Sequence, residues 1–196
     1  MGTGIEYEYD GKIYHFNKAI MDDYDRTISA LSNKGMTVTV IILNDWNPNR
    51  SDLIYPGTKK SSNAFYYMFN GANEAGFEQT RAIAAFLADH YSGKDSNHGK
   101  VSNWIIGNEI NNQQWNYMGS MDLTNYVKVY QQAFRIFYTA IKSTNANDRV
   151  YFSLDYNWMN EIDGKLKYGG KEIVDSFNSI ANVQGQMDWG LAYHPY

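Results

Sequence analysis

Cysteine is absent from the 196 residues, which excludes disulfides, thiolate metal sites and cysteine nucleophiles. The longest apolar run, residues 38–43, is far shorter than the roughly 20 residues that span a bilayer, so no transmembrane segment is predicted. Basic residues form no run longer than Lys59-Lys60, and the net charge is −4. A nucleic-acid-binding protein that tracks phosphates is therefore disfavoured. The first residues show no secretion signal, and the composition leaves the compartment open, including a secreted or cell-surface parent.

The sequence is rich in apolar and aromatic residues. Hydrophobic residues make up 43% of the chain and charged residues 19%, which favours one folded domain over residues 1–196. Aromatic residues reach 16%, with 17 Tyr, 9 Phe and 5 Trp, and several fall in segments that are predicted to be loops. These loop aromatics need a role other than core packing.

The pattern of apolar residues predicts an α/β fold. Residues 5–16 alternate around Asp10-Gly11 and predict a β-hairpin. A helix follows, capped by Asn17 and ended by Gly35. Four predicted strands then alternate with predicted helices, as in parallel sheets: strands 37–43, 101–107, 150–154 and 187–193, with helices 74–91, 123–143 and 171–181. The first of these strands lacks polar alternation, which predicts burial on both faces.

The loops that follow the predicted strands are long and polar. About 20 residues follow the strand that ends at Leu43, and about 14 follow the strand that ends at Gly107. Both loops are rich in Asn, Trp and Tyr, whereas most connections from helix back to strand are short. Because α/β folds place their sites at the carboxyl ends of strands, a site is predicted at this edge.

The most informative segment is Gly107-Asn108-Glu109, which directly follows an apolar strand. Apolar walls at the exit of a buried strand would favour the protonated carboxyl that a general acid needs. Asn108 could form a hydrogen bond to a substrate hydroxyl. A helix-capping Asn-Glu pair explains the same residues equally well, so spacing alone leaves both interpretations open.

Two motifs in register resemble a known family. Gly-Asn-Glu after a strand resembles the acid/base motif that ends the fourth strand in the clan of retaining (β/α)8 glycoside hydrolases, the cellulase-like enzymes. The terminal His194-Pro195-Tyr196 resembles the His-x-Tyr that ends the sixth strand in many of those enzymes, and one strand separates the two motif strands here as well. Trp-Asn-Tyr at residues 115–117 adds a likeness to an uncharacterised bacterial group of such barrels.

The resemblance implies a partial (β/α)8 TIM barrel in which the four strands correspond to the third through sixth. It implies that Glu109 is the acid/base, that Asn108 holds the sugar 2-hydroxyl, and that His194 and Tyr196 line the cleaving subsite. Asn44 stands at the end of the third strand, where those enzymes often carry a histidine, and is a candidate substrate contact. No cofactor is implied, and the implied partner is a carbohydrate substrate.

One part of the retaining reaction has no counterpart in the sequence. The reaction needs two carboxyl groups roughly 5–5.5 Å apart, and in the family the attacking glutamate lies on the seventh strand. This sequence ends at Tyr196, directly after the sixth, so the 196 residues alone are expected not to hydrolyse a glycoside by the retaining route. The alternative is a non-catalytic carbohydrate-binding or scaffold half-barrel. Either would expose open sheet edges through which the chain could self-associate.

Other candidate contacts lie just after strand ends. Asp155 could touch substrate or cap the following turn, and three tryptophans could stack on sugar rings or simply pack in loops: Trp46, Trp115 and Trp158. Asp95-Ser96-Asn97-His98-Gly99 is similar to part of a calcium loop but lacks the glutamate at the twelfth position, so no metal site is predicted. Asp22, Asp23 and Asp25 are expected to form a solvated helix face. Dinucleotide, P-loop and serine-hydrolase motifs are missing.

Overall fold

The computed structural model describes residues 4–95, 97–159 and 163–196. A two-stranded hairpin precedes a four-stranded sheet and its helices. The elements in chain order are β1 Gly4–Tyr9, β2 Lys12–Asn17, α1 Lys18–Ser32, β3 Thr39–Ile42, a 3-10 helix Pro48–Leu53, α2 Glu74–Ser92, β4 Asn103–Ile106, α3 Leu123–Thr144, β5 Arg149–Leu154, α4 Gly170–Gln184 and β6 Trp189–Tyr193. None of the described helices is both long enough and apolar enough to cross a membrane.

The predicted hairpin is confirmed, and its turn chemistry is as expected. Asp10 and Gly11 both have positive φ, 53° and 72°, which suits a two-residue turn between antiparallel strands. Asn17 then begins α1, because its side chain accepts a hydrogen bond from the backbone N–H of Ile20 at 3.2 Å. The hairpin is anchored to α2, where the Phe16 ring stacks on Phe86 with 3.7 Å between centroids.

The four-stranded sheet is parallel, and its strands lie side by side in sequence order, β3-β4-β5-β6. One face packs against the helices. The long helix α3 places its aromatic stripe there at helical spacing, and each buried aromatic side chain contributes about 2–3 kcal/mol of transfer free energy. The core includes Trp104, Ile106, Tyr126, Tyr130, Phe134, Phe137, Phe152 and Phe177. The α/β class, the parallel strands and the preceding hairpin are thus confirmed.

The second face of the sheet differs from the prediction. The first parallel strand was expected to be buried on both faces, but Ile41 is 42% exposed and Leu43 is 36% exposed. The expectation is wrong because β3 is an edge strand and this face stays open to solvent at both positions within the described residues. Ile41 aligns in register with Ile105, and Ile105 with Tyr151, across β3, β4 and β5.

The loops at the carboxyl edge of the sheet are tied together. The predicted loop after β3 contains the 3-10 helix Pro48–Leu53, which the sequence pattern did not predict. Farther along, the backbone N–H of Tyr67 donates to the carbonyl of Asn44 at 2.8 Å, and that of Phe65 donates to Gln114 at 2.8 Å. The loops after β3 and β4 therefore form one layer over this edge.

Candidate functional site

Two side chains from different strand ends meet at the carboxyl edge. Glu109 follows β4 and His194 follows β6, and a hydrogen bond joins Glu109 Oε1 to His194 Nδ1 at 2.9 Å. Their side chains are 17% and 19% exposed, so the pair is largely shielded from solvent. A carboxyl and an imidazole joined by a hydrogen bond form a unit suited to general acid–base chemistry.

The backbone that presents Glu109 is in the left-handed region. Gly107 has φ of 77°, and Glu109 itself has φ of 41°. A Cβ at Gly107 would come within 3.1 Å of Ile110 Cγ2, so glycine suits this position on two counts. Positive φ in a non-glycine residue costs about 1–3 kcal/mol. The next described helix begins only at Leu123, so Glu109 does not cap a helix.

Strand β5 holds the strained turn in place. The buried Ser153 hydroxyl accepts the backbone N–H of Glu109 at 2.8 Å, and the Ser153 carbonyl accepts the N–H of Ile110 at 2.9 Å. Sequence reasoning missed Ser153 as a site residue. The available signal was a single hydroxyl within an apolar strand next to the Glu109 strand.

Two buried tyrosines on α3 form hydrogen bonds to the backbone on either side of Glu109. The Tyr130 hydroxyl donates to the carbonyl of Ile106 at 2.5 Å, and the Tyr126 hydroxyl donates to that of Ile110 at 2.7 Å. Burial raises the pKa of both hydroxyls well above the usual value, so both stay protonated and act as donors. The two ends of the Glu109 turn are thereby fixed to the helix layer.

Tyr196 and Asn108 lie beside the pair. The Tyr196 ring stacks on His194 with 5.8 Å between centroids and an interplanar angle of 10°, while remaining 87% exposed. His194 is itself fixed by its backbone N–H, which donates to Leu154 at 2.9 Å. Asn108, half-buried, precedes Glu109 in the strained turn. The structure thus brings Glu109, His194 and Tyr196 together.

A sequence profile of the family described as "Family of unknown function (DUF5722)" matches residues 1–196. The chain belongs to this family. Among curated proteins, none matches it. The prediction that its relatives form an uncharacterised group is thus confirmed. The chemistry of this DUF5722 chain is therefore inferred from its own side chains.

Asp155 of the DUF5722 chain is engaged in structural hydrogen bonds. It is buried, and its Oδ1 accepts from the side-chain amide of Asn111 and from the backbone N–H of Asn157. Its own N–H donates back to Asn111 Oδ1 at 2.9 Å, and its Oδ2 accepts from the Asn157 amide at 3.2 Å. These contacts match the turn-capping alternative left open by the sequence.

Asn44 and Trp46 of the DUF5722 chain support the loop layer. The Asn44 amide is buried and donates to the carbonyl of Leu53 at 2.9 Å, which closes the loop containing the 3-10 helix. Trp46 is half-buried and packs against Tyr67 with 5.1 Å between ring centroids. The contacts of both side chains are therefore those of residues that stabilise the loop.

The other two tryptophans occupy different surroundings. Trp115 stacks on Phe65 at 4.9 Å and on Tyr66 at 6.3 Å, and Phe65 is 55% exposed. Trp158 lies edge-on to Tyr193 at 5.9 Å between centroids. We call Phe65, Tyr66 and Trp115 the aromatic cluster. It joins the loops after β3 and β4 and presents flat apolar surface at the same edge as Glu109.

Proposed function

We propose that this chain carries the acid/base half of a glycoside hydrolase active site, with Glu109 as the proton donor and acceptor. The observation that carries the proposal is the 2.9 Å contact between Glu109 and His194, from two strand ends of one parallel sheet. The left-handed backbone at Glu109 supports it, because strain at a polar residue near an open edge is typical of functional positions.

The sheet is consistent with a segment of a (β/α)8 barrel, which is the second part of the proposal. Its strands follow one another in sequence order, whereas a doubly wound sheet reverses order at a switch point. Helices cover one face, and the other is open to solvent at Ile41 and Leu43. In a complete barrel these apolar side chains would face the packed interior.

The proposed chemistry has two proton transfers at Glu109. The protonated carboxyl of Glu109 gives its proton to the glycosidic oxygen while the bond from that oxygen to the anomeric carbon breaks and a second carboxylate, outside these 196 residues, bonds to that carbon as a glycosyl intermediate. The resulting carboxylate then takes a proton from the water that attacks the glycosyl intermediate. His194 acts as a positioning residue, because its hydrogen bond fixes Oε1 and accommodates either charge state of the carboxyl.

The attacking carboxylate of a retaining reaction is expected on the strand that follows β6 in the resembled family. We therefore expect the 196 residues to bind saccharide without turning it over. A carbohydrate-binding half-barrel without catalysis is the second candidate, and the aromatic cluster favours it. Exposed aromatic surface suits the apolar faces of sugar rings.

A binding experiment tests the carbohydrate part of the proposal. Oligosaccharides of glucan, xylan, mannan and galactan type are titrated against the chain and followed by saturation-transfer NMR. Trp115→Ala is expected to weaken binding about tenfold, which corresponds to ~1.4 kcal/mol of lost contact. Tyr24→Ala removes an exposed aromatic residue from α1 and serves as the matched control, with no change expected. If no saccharide binds, or if both variants behave alike, the carbohydrate proposal is wrong.

A rescue experiment separates the enzyme from the binder. Azide can replace a missing carboxylate by attacking the anomeric carbon of an aryl glycoside, so that the aryl oxygen leaves and takes a proton from Glu109. Glycosyl azide formation from phenyl glycosides is expected with the natural chain and is expected to be lost in Glu109→Gln. Saccharide binding without azide product would favour the non-catalytic alternative.

A further inference from the structure

Three ligand-type side chains converge at the end of the sheet opposite Glu109. Asp25 Oδ1 lies 2.8 Å from His90 Nε2, and Asp25 Oδ2 lies 2.6 Å from His98 Nδ1. One atom from each residue falls within 4.8 Å of the others, and the two imidazole rings stack at 3.7 Å. We call these residues the Asp-His-His cluster.

The cluster joins three separate parts of the chain. Asp25 lies within α1, His90 lies in the last turn of α2, and His98 lies in the segment that leads into β4. Because α2 runs back from the carboxyl edge, its last turn and the start of β4 share the amino edge of the sheet. In barrel-type folds this edge serves stability rather than catalysis.

The backbone next to His98 is pressed against α1. Gly99 has φ of 84°, and a Cβ there would come within 2.5 Å of the Ser29 backbone nitrogen. The backbone N–H of Lys100 also donates to Ser32 Oγ at 3.1 Å. This close approach fixes the position of His98 over Asp25 independently of the hydrogen bond between them.

The groups around the cluster orient the carboxylate. Tyr91 is buried and its hydroxyl donates to Asp25 Oδ1 at 2.8 Å, and Phe86 packs against the His90 ring at 5.2 Å. The Asp25 side chain is 17% exposed, so its expected place on a solvated helix face is wrong. Its carboxylate oxygens have hydrogen-bond contacts with His90, Tyr91 and His98. A carboxylate held by a buried hydroxyl is a typical surrounding of a metal ligand.

We propose that Asp25, His90 and His98 bind one divalent transition metal ion, with Zn²⁺ as the best match, and that the ion fastens the segment before β4 to α1. Two imidazole nitrogens and one carboxylate oxygen are a ligand set that zinc accepts, with a water as fourth ligand. In a tetrahedral site with such bond lengths, ligand atoms lie about 3.4 Å apart. Metal binding requires the ring nitrogens that face Asp25 to carry no proton, and it widens the observed contacts of 2.8 and 2.6 Å to this spacing.

No metal site was predicted from the sequence. Asp25 is 65 residues from His90 along the chain, so no short motif joins them. The calcium-like segment at residues 95–99 contributes His98 alone, and Ser96 lies outside the described residues. The site is independent of the reaction proposed for Glu109, since the two lie at opposite edges of the sheet.

The test uses the full chain, stripped of metal with a chelator and then titrated with Zn²⁺ in a calorimeter. One ion per chain is expected to bind, and at a hundredfold excess over Kd it is expected to raise Tm by roughly 5–10 °C. His98→Gln is expected to weaken binding at least tenfold and to abolish the Tm shift. His15→Gln changes an exposed histidine of the hairpin and is expected to leave both unchanged.

A spectroscopic measurement keeps the test decisive if His98→Gln fails to fold. The natural chain is loaded with Co²⁺, whose visible absorption reports coordination number, and zinc-edge X-ray absorption reports the ligands. Tetrahedral absorption and a shell with two imidazoles are expected. The proposal is overturned by an ion with oxygen ligands only, by the lack of saturable binding, or by equal loss of binding in His15→Gln. The cluster would then be a hydrogen-bonded link between α1 and α2.

Discussion

The left-handed backbone at Glu109 predicts an unusual order of stability for two truncations. Glu109→Ala and Glu109→Gly both remove the contact with His194, so they differ mainly in backbone preference at φ of 41°. A left-handed conformation costs an L-residue about 1–2 kcal/mol, whereas glycine adopts it freely. Glycine loses about 0.5–1 kcal/mol more than alanine in chain entropy on folding. The glycine variant is therefore expected to be more stable by about 0.5–1 kcal/mol.

Urea unfolding followed by circular dichroism measures the difference directly, and a thermal scan should show about 2–4 °C for each kcal/mol in a chain of this size. Ser179, exposed in the middle of α4, provides the matched control. There alanine should exceed glycine by about 1 kcal/mol, because the helix interior disfavours glycine. If alanine is at least as stable as glycine at position 109 too, the backbone there is not strained, and the support that backbone strain gives to a functional Glu109 is lost.

Three further outcomes are expected. Ser153→Ala should cost about 1–3 kcal/mol in urea unfolding, because the buried N–H of Glu109 loses its acceptor, and should shift the imidazole NMR signals of the site histidine. Hydrogen bonds from the Asn125 backbone and side chain lower the pKa of Asp122. Its carboxylate therefore stabilises α3 fully at pH values above the pKa of the unfolded chain, which is near 3.9. This stabilisation is lost as the pH falls through the lower pKa of the folded chain. Asp122→Asn keeps a capping side chain without a titrating proton, so its unfolding curve should depend less on pH below about 4. The chain should self-associate in sedimentation velocity, and Ile41→Lys on the open sheet face should shift it toward monomer; a monomeric natural chain would contradict this.

Local periodicity predicted the elements well because it reports which face of each element is buried. The predicted helix 123–143 differs by one residue from α3, Leu123–Thr144. The agreement is close because aromatic residues at helical spacing can all face the core only if the segment is a helix. The hairpin and the positions of the strands along the chain followed equally from turn residues and β-branched runs. Strand ends were less well placed, as for 101–107 against Asn103–Ile106.

Tertiary context decided what the sequence could not predict. An apolar run such as residues 37–43 shows that a strand is apolar, but it does not show whether another layer covers each face. Ile41 is exposed for that reason. Likewise Asp25 has the same local pattern as Asp22 and Asp23, and only the approach of His90 and His98 sets it apart.

The candidate active site was partly within reach of the sequence. Glu109 and His194 could be placed at the same edge by counting strands, because parallel strands present their carboxyl ends together. The role of Ser153 could not be predicted, since it depends on the register that places β5 beside the Glu109 turn. Asp155 follows the same strand, yet its oxygens are used by Asn111 and Asn157, so position after a strand does not by itself make a site residue.

The two ends of the sheet therefore call for different experiments. At the carboxyl edge, a strained residue is held by Ser153 and by two tyrosines of α3, so changes there should alter the geometry of Glu109 together with stability. At the amino edge, the Asp-His-His cluster links α1 to the segment before β4, and changes there should alter stability alone. A metal-dependent Tm with unchanged saccharide binding would show that the two edges act independently. Loss of both in His98→Gln would instead mean that the link at the amino edge supports the carboxyl edge through β4.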